Sequence, residues 1–154
     1  HQDALLRAAA WVCVTVGPAE ITERVLALPP PRIAWAVKHD ARALTRARAQ
    51  ALATRADLIC FSQAEAEFIA SVGGLRPDCI AVETRGAAGA VVRWHREETA
   101  LPAIPLASPD PTGAGDTLVG GMLAALIAAP NDPVGALRAG MEAAADLLHR
   151  REAL

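Results

Sequence analysis

The sequence of 154 residues contains no tyrosine, only two phenylalanines and a single lysine. That lysine stands beside 14 arginines, and the formal net charge of -2 argues against a basic surface for nucleic acid. No uncharged apolar run reaches the roughly 18 residues of a membrane span, and no basic flank precedes an apolar core as in a signal peptide. These absences predict a cytoplasmic protein that binds neither membranes nor nucleic acid. Because the chain starts with His1 and not Met, we also expect residues upstream of it.

Cysteine is also scarce, and its three copies fit neither a disulfide framework nor a metal site. Cys13, Cys60 and Cys79 are far apart, odd in number and free of CxxC spacing. Each lies in or beside an apolar run, so we predict reduced thiols in the core; a disulfide or a metal site is the lesser alternative.

Small aliphatic residues dominate what remains, with 36 alanines and 53% hydrophobic residues overall. A chain of this length predicts one domain, residues 1–154, that buries about 70% of its unfolded surface. Short β-branched runs alternate with segments of helical periodicity, which predicts an α/β fold with a largely parallel sheet and helices on both faces. The expected strands are 11–16, 33–37, 58–61, 79–84 and 90–94, the last two forming a hairpin, and the expected helices are 19–28, 41–56 capped by Asp40, 62–73, 117–129 and 134–151. The segment 101–106, broken by two prolines, predicts an edge segment or a loop.

The segment 110–117, Asp-Pro-Thr-Gly-Ala-Gly-Asp-Thr, carries the clearest chemical signal. Gly113 and Gly115 allow successive N–H groups to point at one spot, and the opening of a helix makes that spot attractive to an anion. An acid there, Asp116, would repel a merely bound phosphate but suits a site where a hydroxyl is deprotonated beside a phosphoryl group. The alternative is that Asp116 only complements the helix dipole and the glycines only allow tight packing.

This segment, with Gly120 and Gly121 behind it, closely resembles the C-terminal signature of the ribokinase-like (PfkB-type) carbohydrate kinases. The order of other motifs also matches. Thr-Arg-Gly-Ala-Ala-Gly at 84–89 is similar to the family's nucleotide loop, and Ser62–Glu65 lies where the family has Asn-x-x-Glu. The resemblance covers 11–148, which corresponds to only the C-terminal half of a usual member, so the fold is expected to be an incomplete ribokinase-like one.

The resemblance implies an ATP-dependent kinase that phosphorylates a hydroxyl of a sugar or nucleoside-like acceptor. Asp116 would be the catalytic base, and the amides of Gly113, Ala114 and Gly115 would form the anion hole for the γ-phosphoryl. Asp110 and Thr112 would lie at the edge of a site for a monovalent cation such as K⁺.

Further positions would bind the nucleotide and its metal. Thr84, Gly86 and Gly89 would line the nucleotide's phosphates and ribose, and Glu65 would hold the water shell of Mg²⁺. On residues alone, Glu65 is equally well a capping-box acid, and the two glycines are equally well hairpin-turn residues. Lys38, after the second strand, meets either a phosphate or solvent, and solvent is slightly favoured.

Two departures from the family pattern concern the nucleotide. Ser62 replaces the Asn before the metal-associated Glu, which shortens the reach and removes an amide. Met141 lies near a position where the family often has a nucleotide-contacting Asn, and its thioether can pack on adenine without replacing that hydrogen bond.

The missing N-terminal half leaves two hypotheses. The chain is either the nucleotide-binding and catalytic half of a kinase, or a non-catalytic remnant that folds and binds nucleotide at most. A sheet without its neighbouring strands also exposes an edge and an apolar face, so we expect a homo-oligomer or packing against a missing N-terminal half.

Overall fold

The computed structural model of the chain describes residues 2–28, 31–38, 44–105 and 111–152. Within them the α-helices are α1 (Gln2–Ala8), α2 (Ala19–Ala27), α3 (Arg46–Arg55), α4 (Ala66–Val72), α5 (Ala114–Ala128) and α6 (Pro133–Glu152). The strands are β1 (Trp11–Val14), β2 (Arg32–Ala36), β3 (Leu58–Ser62), β4 (Ile80–Thr84), β5 (Ala90–Trp94) and β6 (Glu97–Leu101). Single 3₁₀ turns lie at Gln63–Glu65 and Gly86–Ala88. No helix in these ranges is long and apolar enough to cross a membrane.

The strands form one six-stranded sheet in the order β1-β2-β3-β4-β5-β6. β1 to β4 pair in parallel, and β5 and β6 return antiparallel as a meander. The predicted α/β class is therefore confirmed. Because β1 to β4 run in one direction, their carboxyl ends meet at the same edge of the sheet, where α/β proteins bind ligands.

Both faces of the sheet are covered, because alternate residues of each strand point to opposite sides. On one face Ile33, Trp35 and Ile59 pack under α2, α3 and α4. On the other, Ala34, Leu58 and Val82 belong to a second cluster with α5 and α6. The small strand residues of this second face, many of them alanine, leave room for α5 close to the sheet.

Several predicted boundaries are wrong. Residues 39–43, including Asp40, lie outside the described residues, but α3 begins only at Arg46, where Thr45 Oγ1 accepts a hydrogen bond from the Arg48 amide at 3.3 Å. A continuous helix from 41 capped by Asp40 is therefore wrong. α5 begins at Ala114 and not at Thr117, which places Asp116 inside its first turn. No element was predicted at α1 or at the polar edge strand β6.

A charged network covers part of the sheet beside β5 and β6. Glu83, 7% exposed in β4, accepts hydrogen bonds from Arg85 Nε at 2.8 Å and from Arg93 Nη1 at 3.0 Å. Arg93 Nε in turn bonds to Glu98 at 2.6 Å. The hydrogen bond from Arg85 holds the pKa of the Glu83 carboxyl below its ordinary value, and Arg93 adds to this effect although burial opposes it.

This lowered pKa predicts how stability depends on pH. The contribution of Glu83 is complete above its unfolded-state pKa and is lost as the pH falls through the lower folded-state value. We expect Glu83→Gln to lower the free energy of unfolding at pH 7 by about 1–3 kcal/mol, and the difference from wild type to shrink below about pH 4. Urea unfolding at several pH values measures this. Glu98→Gln, at the exposed end of the network, should cost less than about 1 kcal/mol; an equal loss in both variants would contradict the assignment.

Two glycines allow α5 and α6 to approach closely. A Cβ at Gly140 would lie 2.5 Å from the Leu118 carbonyl oxygen, and a Cβ at Gly121 would lie 2.9 Å from the Gly140 Cα. A Cβ at the neighbouring Gly120 would meet no atom within 4 Å.

We therefore expect opposite signs for two chemically identical substitutions. Gly140→Ala should lower the melting temperature, because overpacking costs about 1–3 kcal/mol and exceeds the gain in helix propensity. Gly120→Ala should raise the melting temperature slightly, because the higher helix propensity of alanine stabilises the fold by about 0.5–1 kcal/mol. Thermal unfolding followed by circular dichroism decides this, and a stabilised Gly140→Ala variant would contradict the close approach.

Candidate active site

The loop before α5 turns into the helix at a glycine. Gly113 has φ +83, a left-handed conformation that favours glycine, and its carbonyl accepts the Thr117 amide at 3.0 Å. The Ala114 amide donates to the Pro111 carbonyl at 3.0 Å. An anion hole that includes Ala114, as predicted, therefore requires this bond to be shared or broken, whereas Gly115 and Asp116 lie in the first turn, where amide groups point out of the helix end.

Asp116 lies at the carboxyl ends of the strands. Its side chain is 61% exposed, and its Oδ1 is 3.6 Å from the Nζ of Lys38, which follows β2. The carboxylate lines two adjoining cavities, described next. It is therefore accessible to a ligand, as a catalytic base must be.

The larger cavity, about 540 Å³, is an open cleft between the end of β1 and the side of α5. This volume falls in the range of about 300–1,000 Å³ that is typical of small-molecule sites. Apolar groups make up most of its wall, and Lys38 and Asp116 are its charged residues. The lining consists of Cys13, Thr15, Val16, Ala36, Lys38, Asp116, Val119, Gly120 and Leu123.

The smaller cavity, about 90 Å³, lies across the ends of β2, β3 and β4. It brings together five predicted site residues from three separate motifs: Ser62, Glu65, Thr84, Gly115 and Asp116. Lys38, Ala36 and Val119 line both cavities. A ligand with an extended phosphate tail could therefore lie along one continuous edge of the sheet.

Glu65 caps the turn after β3 and also faces the candidate site. Its Oε2 accepts hydrogen bonds from the amide and the hydroxyl of Ser62, each at 2.8 Å, so it is a capping acid. It also lines the smaller cavity. No group of three or more His, Cys, Asp or Glu side chains suited to a metal occurs in the described ranges. Mg²⁺ usually keeps several waters and is bound by one or two carboxylates together with substrate phosphates, and Glu65 is a carboxylate of this kind beside Asp116.

The described residues give little support to the predicted site for a monovalent cation. Asp110 lies outside the described residues. The carbonyl of Thr112 accepts a hydrogen bond from the Arg151 guanidinium of α6. Because this guanidinium carries a positive charge, it would repel K⁺ from that oxygen, so the described residues do not support a K⁺ site.

The structure does not bring Gly86, Gly89 and Met141 into either cavity. Gly86 and Gly89 bound the 3₁₀ turn of the β4–β5 hairpin, where the Arg85 amide donates to the Gly89 carbonyl at 2.8 Å. Met141 packs against the core cluster under α6.

Sequence reasoning underestimated Lys38 and misjudged one cysteine. Lys38 is half exposed, but it faces Asp116 and both cavities. Its position at the carboxyl end of a predicted parallel strand indicated that it lies beside the site, although not that it contacts Asp116. Cys60 and Cys79 are buried free thiols, as predicted, but Cys13 is exposed at the cleft, because β1 is the outermost strand and α5 leaves its end uncovered.

Comparison with solved structures relates this fold to sugar and nucleoside kinases. The chain is similar to a nucleoside kinase from Methanocaldococcus jannaschii, described as an archaeal member of the ribokinase family (TM-score 0.76, 17% identity, 92% of this chain and 50% of that chain). It is also similar to a ribokinase from Thermotoga maritima (0.75, 18%, 94% and 52%) and to a fructokinase from Vibrio cholerae in fructose, ADP and calcium ion bound form (0.74, 20%, 88% and 53%). The chain thus spans about half the length of these proteins and has the ribokinase-like fold in incomplete form.

Sequence comparison gives the family directly. No curated protein sequence matches the chain, but the family model for the pfkB family carbohydrate kinases matches residues 28–153. This match includes Lys38, the Ser62–Glu65 turn, the 84–89 loop and the Asp116 helix. The chain belongs to the pfkB family of carbohydrate kinases.

Proposed function

We propose that this chain supplies the nucleotide-binding and catalytic part of a kinase that transfers the γ-phosphoryl of ATP to a hydroxyl of a sugar or nucleoside-like acceptor. The observation that carries the proposal is the position of Asp116. It stands in the first turn of α5, exposed to two adjoining cavities at the carboxyl ends of the strands. Membership of the pfkB family and the similarity of the fold to a ribokinase, a fructokinase and a nucleoside kinase support it.

In this mechanism the Asp116 carboxylate accepts the proton of the acceptor hydroxyl. The hydroxyl oxygen then forms a bond to the γ-phosphorus while the bond from that phosphorus to the β–γ bridging oxygen breaks, which releases ADP. The exposed amides at the start of α5, Gly115 among them, stabilise charge on the transferring group. Glu65 would hold the water shell of Mg²⁺, which when bound neutralises charge on the phosphate oxygens, and Thr84 would lie beside the nucleotide's phosphates.

The alternative is a non-catalytic remnant that folds and at most binds nucleotide, without transferring phosphate. Two observations favour it: the large cleft, lined by the ends of β1 and β2 and by α5, is open to solvent, and the chain spans about half the length of its structural neighbours. Calorimetric titration with Mg·ATP, followed by an ADP-release assay over a panel of sugars and nucleosides, separates the two. Acceptor-dependent ADP release supports the kinase, whereas binding without release supports the alternative; absence of binding contradicts the kinase.

We also propose that the outer edge of β1 pairs with another polypeptide, either a second copy or an N-terminal half. Among the described residues β1 is hydrogen-bonded only to β2, and Val16 and Ile127 near the cleft are 47% and 60% exposed. We expect sedimentation velocity to show association that increases with concentration. A monomer at high concentration would exclude a second copy, and failure of an added N-terminal half to bind that monomer would overturn the proposal.

A further inference from the structure

The single lysine of the chain is placed at the point where the two cavities meet. Lys38 Nζ lies 3.6 Å from Asp116 Oδ1, and it would be 4.0 Å from a Cβ built on Gly115. Among the residues that the structure describes, it is also the only cationic one in the lining of either cavity. A flexible ammonium group therefore faces both the proposed base and the proposed phosphoryl-binding turn.

The contact with Asp116 is too loose to explain this placement as a structural ion pair. At 3.6 Å it is longer than an ordinary charged hydrogen bond, and its side chains are 49% and 61% exposed, so water screens it. Glu83, by contrast, accepts hydrogen bonds from two guanidinium groups at 2.8 and 3.0 Å. The Lys38–Asp116 pair therefore contributes less to the free energy of folding than the ion pairs of Glu83 do.

The chemistry of the proposed reaction requires a cation at this position. A carboxylate beside a γ-phosphoryl group repels it, since both are negative and a few ångströms apart. A lysine ammonium binds phosphate as a compact point charge with three donors. Lys38 can swing from Asp116 towards the turn at Gly115, because half of its side chain is in solvent.

We propose that Lys38 bridges the Asp116 carboxylate and the transferring γ-phosphoryl, so that base and phosphoryl can share the site. This inference rests on the proposed kinase function and adds a catalytic residue to it. Lys38 forms and breaks no covalent bond. It donates hydrogen bonds to γ-phosphate oxygens and offsets their repulsion from Asp116 before and during transfer.

The assignment predicts a difference between nucleotides, because only ATP carries the γ-phosphate. We expect Lys38→Ala to weaken binding of Mg²⁺ with a non-hydrolysable ATP analogue by about 10- to 100-fold, and binding of Mg·ADP by less than about twofold. Turnover should fall at least as much as ATP affinity. Lys38→Arg, which keeps the charge, should recover part of both losses. Circular dichroism should show an unchanged fold, since the side chain is half exposed.

Arg32→Ala is the matched control, because it removes one positive charge from the opposite end of the same strand. It should leave both nucleotide affinities unchanged. The proposal would be overturned if Lys38→Ala weakened the binding of the ATP analogue and of ADP equally. It would also be overturned if Lys38→Ala reduced turnover only with anionic acceptors. If wild type binds and transfers while Lys38→Ala behaves identically, Lys38 has no such role and the kinase function stands. If wild type binds neither nucleotide, both proposals are wrong.

Discussion

Replacement of Asp116 by asparagine is expected to reduce phosphoryl transfer by about 10²–10⁴-fold. Asparagine has the same shape, but its amide cannot take the proton of the acceptor hydroxyl. Binding of Mg·ATP should be unchanged or tighter, because the substitution removes a negative charge beside the phosphate tail. The fold should not change, since the Asp116 side chain is 61% exposed and its Lys38 contact is long. Single-turnover transfer and calorimetric binding measure the two quantities separately.

Glu97→Gln makes the same chemical change far from the site. Glu97 is exposed at the start of β6, at the edge of the sheet opposite the carboxyl ends of β1 to β4. It should alter neither transfer nor binding. If Asp116→Asn loses nucleotide binding as completely as transfer, or retains full transfer, Asp116 is not the base. This experiment requires acceptor-dependent activity, so it is done under the conditions in which the ADP-release assay detects that activity.

The alternation of elements was predictable because each signal is local. The run Leu58–Phe61 is apolar throughout, as expected of a strand buried on both faces, and Gly73 ends α4 with φ +60. β6 was missed because its sequence, Glu-Glu-Thr-Ala-Leu, is polar, and it becomes a strand only by pairing with β5. The start of α3 was misplaced because Asp40 and Thr45 are both good caps, and sequence alone does not choose between them.

The candidate site also has parts that local sequence patterns predict and parts that they do not. The turn before α5 was recognisable because its glycines and acid are contiguous. One cavity is lined by Ser62, Thr84 and Asp116. This could be predicted from the topology, because the carboxyl ends of parallel strands meet at one edge of the sheet. The Lys38–Asp116 contact could not be predicted, since it depends on how closely α5 lies to the end of β2. That distance is set by side-chain volumes at the interface and not by any local pattern.

Substitution of a glycine in the β4–β5 hairpin is expected to have a second large effect, a loss in the free energy of unfolding. Gly89 has φ +88, and a Cβ there would lie 2.0 Å from the Leu101 carbonyl oxygen and 2.8 Å from the Ala103 nitrogen. Both atoms are backbone, so neither can rotate away. We expect Gly89→Ala to lower the free energy of unfolding by about 1–3 kcal/mol through backbone strain and by about 1–3 kcal/mol more through the clash. Urea unfolding monitored by tryptophan fluorescence measures the loss.

Gly86→Ala separates the structural role of this loop from its proposed role in nucleotide binding. Gly86 has φ +55, but a Cβ there would meet no atom within 4 Å, so the cost should be only about 1–2 kcal/mol of left-handed strain. A folded Gly86→Ala variant then tests the contact that the resemblance implies. If the loop lines the phosphates and ribose, the added methyl should weaken Mg·ATP and Mg·ADP binding alike, since both nucleotides carry those groups. Unchanged affinities would show that these glycines serve the hairpin alone, and a Gly89→Ala variant as stable as wild type would contradict the packing of β6 against the loop.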